Sequence, residues 1–203
     1  MSTIQNSLSV IAGFLALAGF LPYIIAIFRD KARPAKVSWV TWATLSTITL
    51  LAMYAKDALN GQIIGAVLGD WVVVVLAIKY GKPGWTRLDV FCLVGAVVGI
   101  ALWQAFSNPI LAILASQCAT CIGSIPTFVS AWHDPSKEDR TAWTIFWLSC
   151  VAAVMAIPSW TLQDAAQPIS FFANMTVMMY LLYLRPRPSK LLEKRELAST
   201  NNE

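Results

Sequence analysis

The sequence predicts an all-α membrane protein in which seven transmembrane helices form two parallel three-helix repeats joined by one linker helix. Three observations support this: the share of hydrophobic residues, the length of the apolar segments, and an internal repeat with an offset of 104 residues. Of the 203 residues, 57% are hydrophobic and 13% are charged, whereas about a quarter of the residues of a soluble domain are charged. This composition excludes an ordinary soluble domain.

Seven apolar segments are separated by clusters of charged and turn residues. A helix needs about 20 mostly apolar residues to cross the hydrocarbon core of a bilayer. The predicted helices cover residues 5–28, 37–55, 58–79, 88–104, 109–132, 141–160 and 167–184. Because these segments are continuously apolar and do not alternate with polar residues, they are typical of helices and not of barrel strands.

The distribution of Lys and Arg predicts the orientation, because basic residues are held on the cytoplasmic side of a membrane. With the N-terminus outside and the C-terminus in the cytoplasm, fourteen of the fifteen basic residues are cytoplasmic, and Lys56 alone is outside. The net charge of +4 then reflects topology and contact with anionic lipid in the bilayer. No nucleic-acid partner is expected.

An offset of 104 residues superposes the two halves of the chain without a gap. The matched pairs are Gly19 and Gly123, Pro22 and Pro126, Asp30 and Asp134, Lys36 and Arg140, and Trp39 and Trp143. The same offset places Asp70 on Asn174, near the middle of the third and seventh segments. Because one linker helix separates two triplets, the repeats have the same orientation in the membrane.

The predicted organisation has four parts, and the last of them is rich in charged and polar residues and is expected to be disordered. They are a first repeat over 1–80, a linker helix over 81–107, a second repeat over 108–185 and a cytoplasmic tail over 186–203.

This plan resembles the SWEET sugar transporters and the wider PQ-loop superfamily, which have two parallel triple-helix units and a proline in the first helix of each. The stretch Pro126-Thr127-Phe128 is similar to the proline-threonine-phenylalanine signature of SWEET units, and Asp70 and Asn174 fall where that family carries an asparagine pair in its central pocket. The chain departs from the pattern where Tyr23 and Thr127, not glutamine, follow the prolines. Trp39 and Trp143 stand where SWEETs have a second pair of hinge prolines.

Asp70 stands inside an otherwise uncharged run from Ala58 to Ile78. It lies nine residues before Lys79, or more than about 12 Å from the cytoplasmic end of its helix. A charge at that depth costs roughly 2.5–3.5 kcal/mol, and such residues usually face a cavity or a partner. Two interpretations stay open: a protonated carboxyl in one interhelical hydrogen bond, or a solute or proton site shared with Asn174.

The pair has useful chemistry for a solute site. The Asn174 amide both donates and accepts hydrogen bonds, whereas Asp70 only accepts when ionised and also donates when protonated. This asymmetry favours a solute with a cationic or amide group, or a proton-linked step, over a symmetric site for a neutral sugar.

Two aromatic residues near the outer side are candidate walls of the solute pocket. Tyr54 and Trp160 precede Asp70 and Asn174 by sixteen and fourteen residues. The alternative, favoured for Trp160, is that they belong to an interfacial aromatic belt. The tryptophans at the start of the second helices, Trp39 and Trp143, are expected to be interfacial anchors in the same way, together with Trp42 and Trp147.

The prolines and glycines predict mechanical and packing roles. Pro22 and Pro126 interrupt helical hydrogen bonding at matched positions, and we expect them to act as hinges. Gly61, Gly65 and Gly69 recur every fourth residue, which predicts a stripe where another helix approaches closely.

Neither an enzyme nor a cofactor or metal site is expected. Cys118 and Cys121 have a motif-like spacing but no further ligands, and His133 is the single histidine. The sequence therefore predicts a transporter of a small polar metabolite, sugar-like or with a cationic or amide group, in a bacterial inner membrane. The alternative is a non-transporting membrane scaffold or accessory subunit; a homo-oligomer is compatible with both.

Overall fold

A computed structural model describes residues 2–31, 34, 36–81, 87, 90, 91, 94, 97, 98, 101, 108–133, 135 and 138–185. All regular structure in these residues is helical. The helices are α1 (Thr3–Phe28), α2 (Lys36–Tyr54), α3 (Gly61–Tyr80), α4 (Pro109–His133), α5 (Arg140–Met155) and α6 (Leu162–Met179), and a π-helical turn, Tyr180–Leu184, extends α6. Most of the predicted linker helix, and the tail beyond residue 185, lie outside the described residues.

Four helices are long and apolar enough to cross a membrane. They are Thr3–Phe28, Gly61–Tyr80, Pro109–His133 and Leu162–Leu184. The all-helical architecture of the described residues and these four helices agree with the prediction of an all-α membrane protein. Seven crossings and their orientation stay predictions.

The six helices form a closed ring. Following the main packing contacts, the order around the ring is α1, α3, α2, α4, α6, α5 and back to α1. In each half of the chain the third helix therefore lies between the first two. The halves meet at two seams, where α1 packs on α5 and α2 packs on α4.

The glycine stripe of α3 packs directly on α1, as predicted. A Cβ atom added at Gly13 would lie 2.7 Å from the carbonyl oxygen of Gly61. One added at Gly61 would collide with the carbonyl oxygen of Ser9, and one at Gly65 with that of Gly13. Backbone meets backbone here because no side chain stands between the helices.

Two helix boundaries differ from the prediction. Helix α5 ends at Met155 and not at residue 160, because Pro158 disfavours helical backbone in the residue before it. Helix α6 begins at Leu162 and not at residue 167. Its first turn carries Asp164, which accepts a hydrogen bond of 2.6 Å from the Thr161 hydroxyl, and the helix continues through Pro168.

Candidate functional site

The ring surrounds a central, partly open cavity of about 140 Å³, and all six helices contribute to its lining. One water molecule needs only about 10–15 Å³ on the same measure. The cavity therefore has room for several waters or for one small organic molecule.

Asp70 lines this cavity from α3 and is 7% exposed. Its Oδ2 atom accepts a hydrogen bond of 2.8 Å from the hydroxyl of Ser46 on α2. Gln62 and Ala66, which precede Asp70 by two turns and one turn on the same helix face, also line the cavity. Within the described part of the chain, Asp70 is the single charged residue of the lining and has no basic partner.

Asn174 lines the same cavity from α6 and is 8% exposed. Its Nδ2 atom donates to the carbonyl oxygen of Ser170 at 2.8 Å and to the sulfur of Cys121 at 3.1 Å. Among the described residues nothing donates to its amide oxygen, which leaves an acceptor for a solute. The structure thus brings Asp70 and Asn174 to one cavity.

An aromatic cluster forms part of the cavity wall. We define it as the lining residues Phe20, Trp39, Trp42, Trp143 and Phe146. Phe20 contacts Phe146 edge to face with ring centroids 4.9 Å apart, and its centroid lies 6.1 Å from that of Trp39. Trp39 and Trp42 pack edge to face at 5.3 Å. The side chain of Phe20 on α1 therefore links aromatic residues of α2 and α5.

The cluster changes the interpretation of three tryptophans. The sequence predicts that Trp39, Trp42 and Trp143 anchor the protein at the membrane surface, and the structure adds that they line the cavity. Trp147 instead donates its indole N–H to the Thr176 hydroxyl on α6 at 3.1 Å. Sequence position gives the depth of each tryptophan but not which face of its helix turns to the centre.

A buried chain of hydrogen bonds connects both halves at the end of the ring near Tyr54 and Trp160. In this amide relay, defined as Asn60, Gln167, Gln62 and Ser149, each residue donates to the next: Asn60 to Gln167 at 2.8 Å, Gln167 to Gln62 at 3.0 Å and Gln62 to Ser149 at 3.2 Å. The Ser149 hydroxyl then donates to the carbonyl oxygen of Ala12 at 2.7 Å. Since Gln167 is fully buried, the relay fills the core between the halves at this end.

The opposite seam has its own polar contacts. Thr49 on α2 and Ser116 on α4 share a hydrogen bond of 2.7 Å, and the Gln117 amide donates to Thr49 at 3.0 Å. Ser170 on α6 donates to the Gln117 carbonyl at 2.7 Å. Both seams are thus joined by side-chain hydrogen bonds.

Tyr54 and Trp160 do not line the cavity in the described structure. They are 67% and 73% exposed. Tyr54 ends α2, and Trp160 lies in the connection before α6. Their positions fit the interfacial alternative better than that of pocket walls. Pro22 lies within α1 but outside the lining, and the Pro126 side chain is outside the described residues, so both hinges stay predictions.

Glu138 supports the site from the connection before α5, outside the membrane-spanning segments. The indole N–H of Trp143 donates to its carboxylate at 2.9 Å. Burial raises the pKa of Glu138 above its ordinary value, and the Trp143 hydrogen bond partly opposes this shift. A loop carboxyl thereby positions one ring of the aromatic cluster.

Sequence reasoning missed Gln62 and the lining role of the tryptophans. Two signals pointed to them: Gln62 precedes Asp70 by eight residues, which is the same helix face, and Trp39 matches Trp143 in the repeat. In the part of the chain that the structure describes, no group of three or more His, Cys, Asp or Glu could hold a metal ion.

Comparisons of the chain with family models, curated proteins and solved structures give no match. The resemblance to SWEET and PQ-loop proteins therefore stays a prediction.

Proposed function

We propose that this protein moves a small polar metabolite across the membrane by alternating access, with Asp70 and Asn174 in the central solute site. The supporting observation is one cavity of about 140 Å³ that is bounded by all six helices and lined by both residues. Ionisable side chains inside membrane proteins are costly and usually face such cavities on a solute or ion path. A scaffold or accessory subunit has no need of a cavity at this depth.

The ring also offers a route for the conformational change. Each half is a compact triplet, and the described parts of the halves pack on each other mainly at the α1/α5 and α2/α4 seams and are bridged by the amide relay. Each relay hydrogen bond is worth about 0.5–1.5 kcal/mol net, because water can replace it. Rocking one triplet against the other would break the relay hydrogen bonds and open the end near Asn60.

The proposal includes the finer expectations from the sequence. The fold is taken to be SWEET-like, the membrane a bacterial inner membrane, and the solute sugar-like or cationic or amide-bearing. Asp70 permits a proton-linked step, because its hydrogen bonding to a solute changes with protonation. The protonated carboxyl can donate a hydrogen bond to the solute, whereas the ionised carboxylate can only accept one.

Thiol accessibility tests the transport path without knowledge of the solute. Ala66 lines the cavity one turn from Asp70, so we replace it with cysteine in a chain whose four natural cysteines are alanine. We expect a membrane-impermeant methanethiosulfonate reagent to modify Ala66→Cys when added from either side of reconstituted vesicles. Alternating access exposes the same position to both compartments in turn.

Ala77→Cys is the matched control, because Ala77 lies on the same helix, is 1% exposed and does not line the cavity. It should stay unmodified from both sides. If a folded Ala66→Cys protein also resists modification from both sides, the scaffold interpretation replaces transport.

A further inference from the structure

We propose that the solute of the central cavity is a small organic cation, held by Asp70 as counter-ion and by the aromatic cluster through cation–π contacts. This inference rests on the proposed function, because it names the class of solute for the same cavity. It is argued from charge, from ring geometry and from size.

The charge argument starts from the missing partner of Asp70. Ser46 supplies one neutral hydrogen bond to the carboxylate, and no basic side chain of the described residues lines the cavity. A carboxylate in the membrane interior without a partner is costly. A cationic solute would compensate the charge on binding, whereas a neutral sugar would leave it uncompensated.

Aromatic rings supply the second half of such a site. The cluster contributes rings from α1, α2 and α5, and Phe128 of α4 and Phe171 of α6 complete the aromatic lining. Because the Phe20–Phe146 and Trp39–Trp42 pairs pack edge to face, each ring keeps at least one face that its partner does not cover. Desolvated ring faces attract ammonium groups with about 2 kcal/mol or more.

Volume limits the size of the cation. The cavity of about 140 Å³ is close to the roughly 150 Å³ that accommodates benzene inside a protein. A solute of about six to eight non-hydrogen atoms therefore matches the volume of the cavity. The Asn174 amide oxygen and the lining hydroxyls can hold a polar group at the other end of the cation.

Choline and its neutral carbon isostere, 3,3-dimethylbutan-1-ol, provide a test that needs no variant. They share shape and hydroxyl group and differ in the positive charge. Using the full-length protein in detergent, we expect choline to raise the thermal unfolding midpoint and to bind at least about tenfold more tightly than the isostere by calorimetry. Equal binding of the two compounds would overturn the inference, and so would the absence of binding by both choline and tetramethylammonium.

Matched variants assign the effect to residues. Asp70→Asn should weaken the binding of choline at least about tenfold. Asp57→Asn, which removes an exposed carboxylate outside the cavity, should bind choline as the unmodified protein does. Trp42→Leu should weaken binding while Trp160→Leu leaves it unchanged. If Asp70→Asn does not fold, the comparison of choline with its isostere and the comparison of Trp42→Leu with Trp160→Leu still test the inference.

The outcomes separate this inference from the proposed function. If glucose stabilises the protein in an Asp70-dependent manner and choline does not, the inference of a cationic solute is wrong, while the proposed transport of a metabolite stands. If choline binds through Asp70 but reconstituted vesicles show no choline flux, the binding site stands and transport is overturned.

Discussion

Asp70 and Asn174 occupy matched places on the third helix of each half, yet their partners differ. The Asp70 carboxylate accepts from the Ser46 hydroxyl, whereas the Asn174 amide donates to a backbone carbonyl and to the Cys121 sulfur. The polar groups of the cavity therefore differ between the two halves, although the helices around it are arranged alike in both. Such a cavity can orient a solute that has one charged and one polar end.

A single added methyl group should show how closely α1 and α3 pack. At Gly65, alanine would bring its Cβ atom into the carbonyl oxygen of Gly13 and within 3.0 Å of the Ala16 Cβ atom. Overpacking of this kind costs about 1–3 kcal/mol, because neither backbone can move aside. We expect Gly65→Ala to lower the thermal unfolding midpoint in detergent. Val72→Ile, which adds a methyl group at an exposed position of the same helix, should change it little.

Glu138 should give stability a measurable pH dependence. Its folded-state pKa is raised by burial above the ordinary value of 4.5, so the folded protein holds this proton more tightly than the unfolded chain does. The contribution of Glu138 is therefore fully present below pH 4.5 and is lost as pH rises through the folded-state pKa. Glu138→Gln, which keeps an acceptor for Trp143, should lose less stability over that rise in thermal unfolding scans. An unchanged pH profile would contradict this assignment.

The residues of the site could be predicted only where the internal repeat or the helical spacing related them to one another. The 104-residue offset of the repeat predicted Asp70 and Asn174, because equivalent positions of two repeats face the pseudo-twofold axis between them. Spacing also suggested Tyr54 and Trp160, but spacing predicts depth and not direction, and both side chains are exposed and outside the lining of the cavity. The helix period places Gln62 on the face of Asp70, but its hydrogen bond to Gln167, 105 residues further along the chain, could not be predicted from spacing.

At the level of helices, α1 and α2 end in the same way. Each is followed by an aspartate with positive φ, Asp30 at 57° and Asp57 at 52°. After α2, the backbone N–H of Asp57 donates to the Tyr54 carbonyl and that of Ala58 to the Met53 carbonyl. This is the Schellman pattern, in which glycine usually occupies the left-handed position.

Asp57→Gly should therefore stabilise the protein. Glycine adopts the left-handed backbone without steric cost, whereas aspartate only tolerates it. We expect a gain of up to about 1 kcal/mol, seen as a higher thermal unfolding midpoint. Asp57→Ala should lower the midpoint, and a loss of stability in both variants would show that the Asp57 side chain matters more than its backbone.

Helix boundaries were predicted well where charge marked them and poorly where proline did. α1 through α4 match the predicted segments within about three residues. The end of α5 and the start of α6 each moved by five residues. Pro158 follows the end of α5, although hydropathy predicts that the helix continues to residue 160. Pro168 lies inside α6, although the predicted helix begins only at residue 167.

For the whole molecule, the amide relay should be a main source of stability between the halves. Gln167→Leu keeps the side-chain volume but leaves the Asn60 amide N–H and the Gln62 carbonyl unpaired and buried. Each unpaired group costs about 1–3 kcal/mol. We expect a marked fall in the thermal unfolding midpoint.

Gln163→Leu provides the comparison, because Gln163 lies one turn earlier on α6 and is only partly buried. Its midpoint should stay near that of the unmodified protein. If both leucine variants behave alike, the relay contributes nothing special to the join between the halves.

The ring order could not be read from the sequence. Hydropathy and charge predict where helices begin and end, but nothing local says that α3 lies between α1 and α2, or that α1 closes on α5. That order depends on glycine-lined backbone contacts and on side chains such as Gln62 and Gln167, which meet only after folding.

Closure of the ring has a consequence for biosynthesis. Helix α1 ends at residue 28, but α5, against which it packs at one seam, is complete only at residue 155. At about 5–20 residues per second, a ribosome takes roughly 6–25 s to add the intervening chain. During that interval the face of α1 that carries Ala12 and Gly19 lacks its final neighbour and must be sheltered by lipid or by the insertion machinery. Assembly of the first helix is thus timed by the synthesis of the second half.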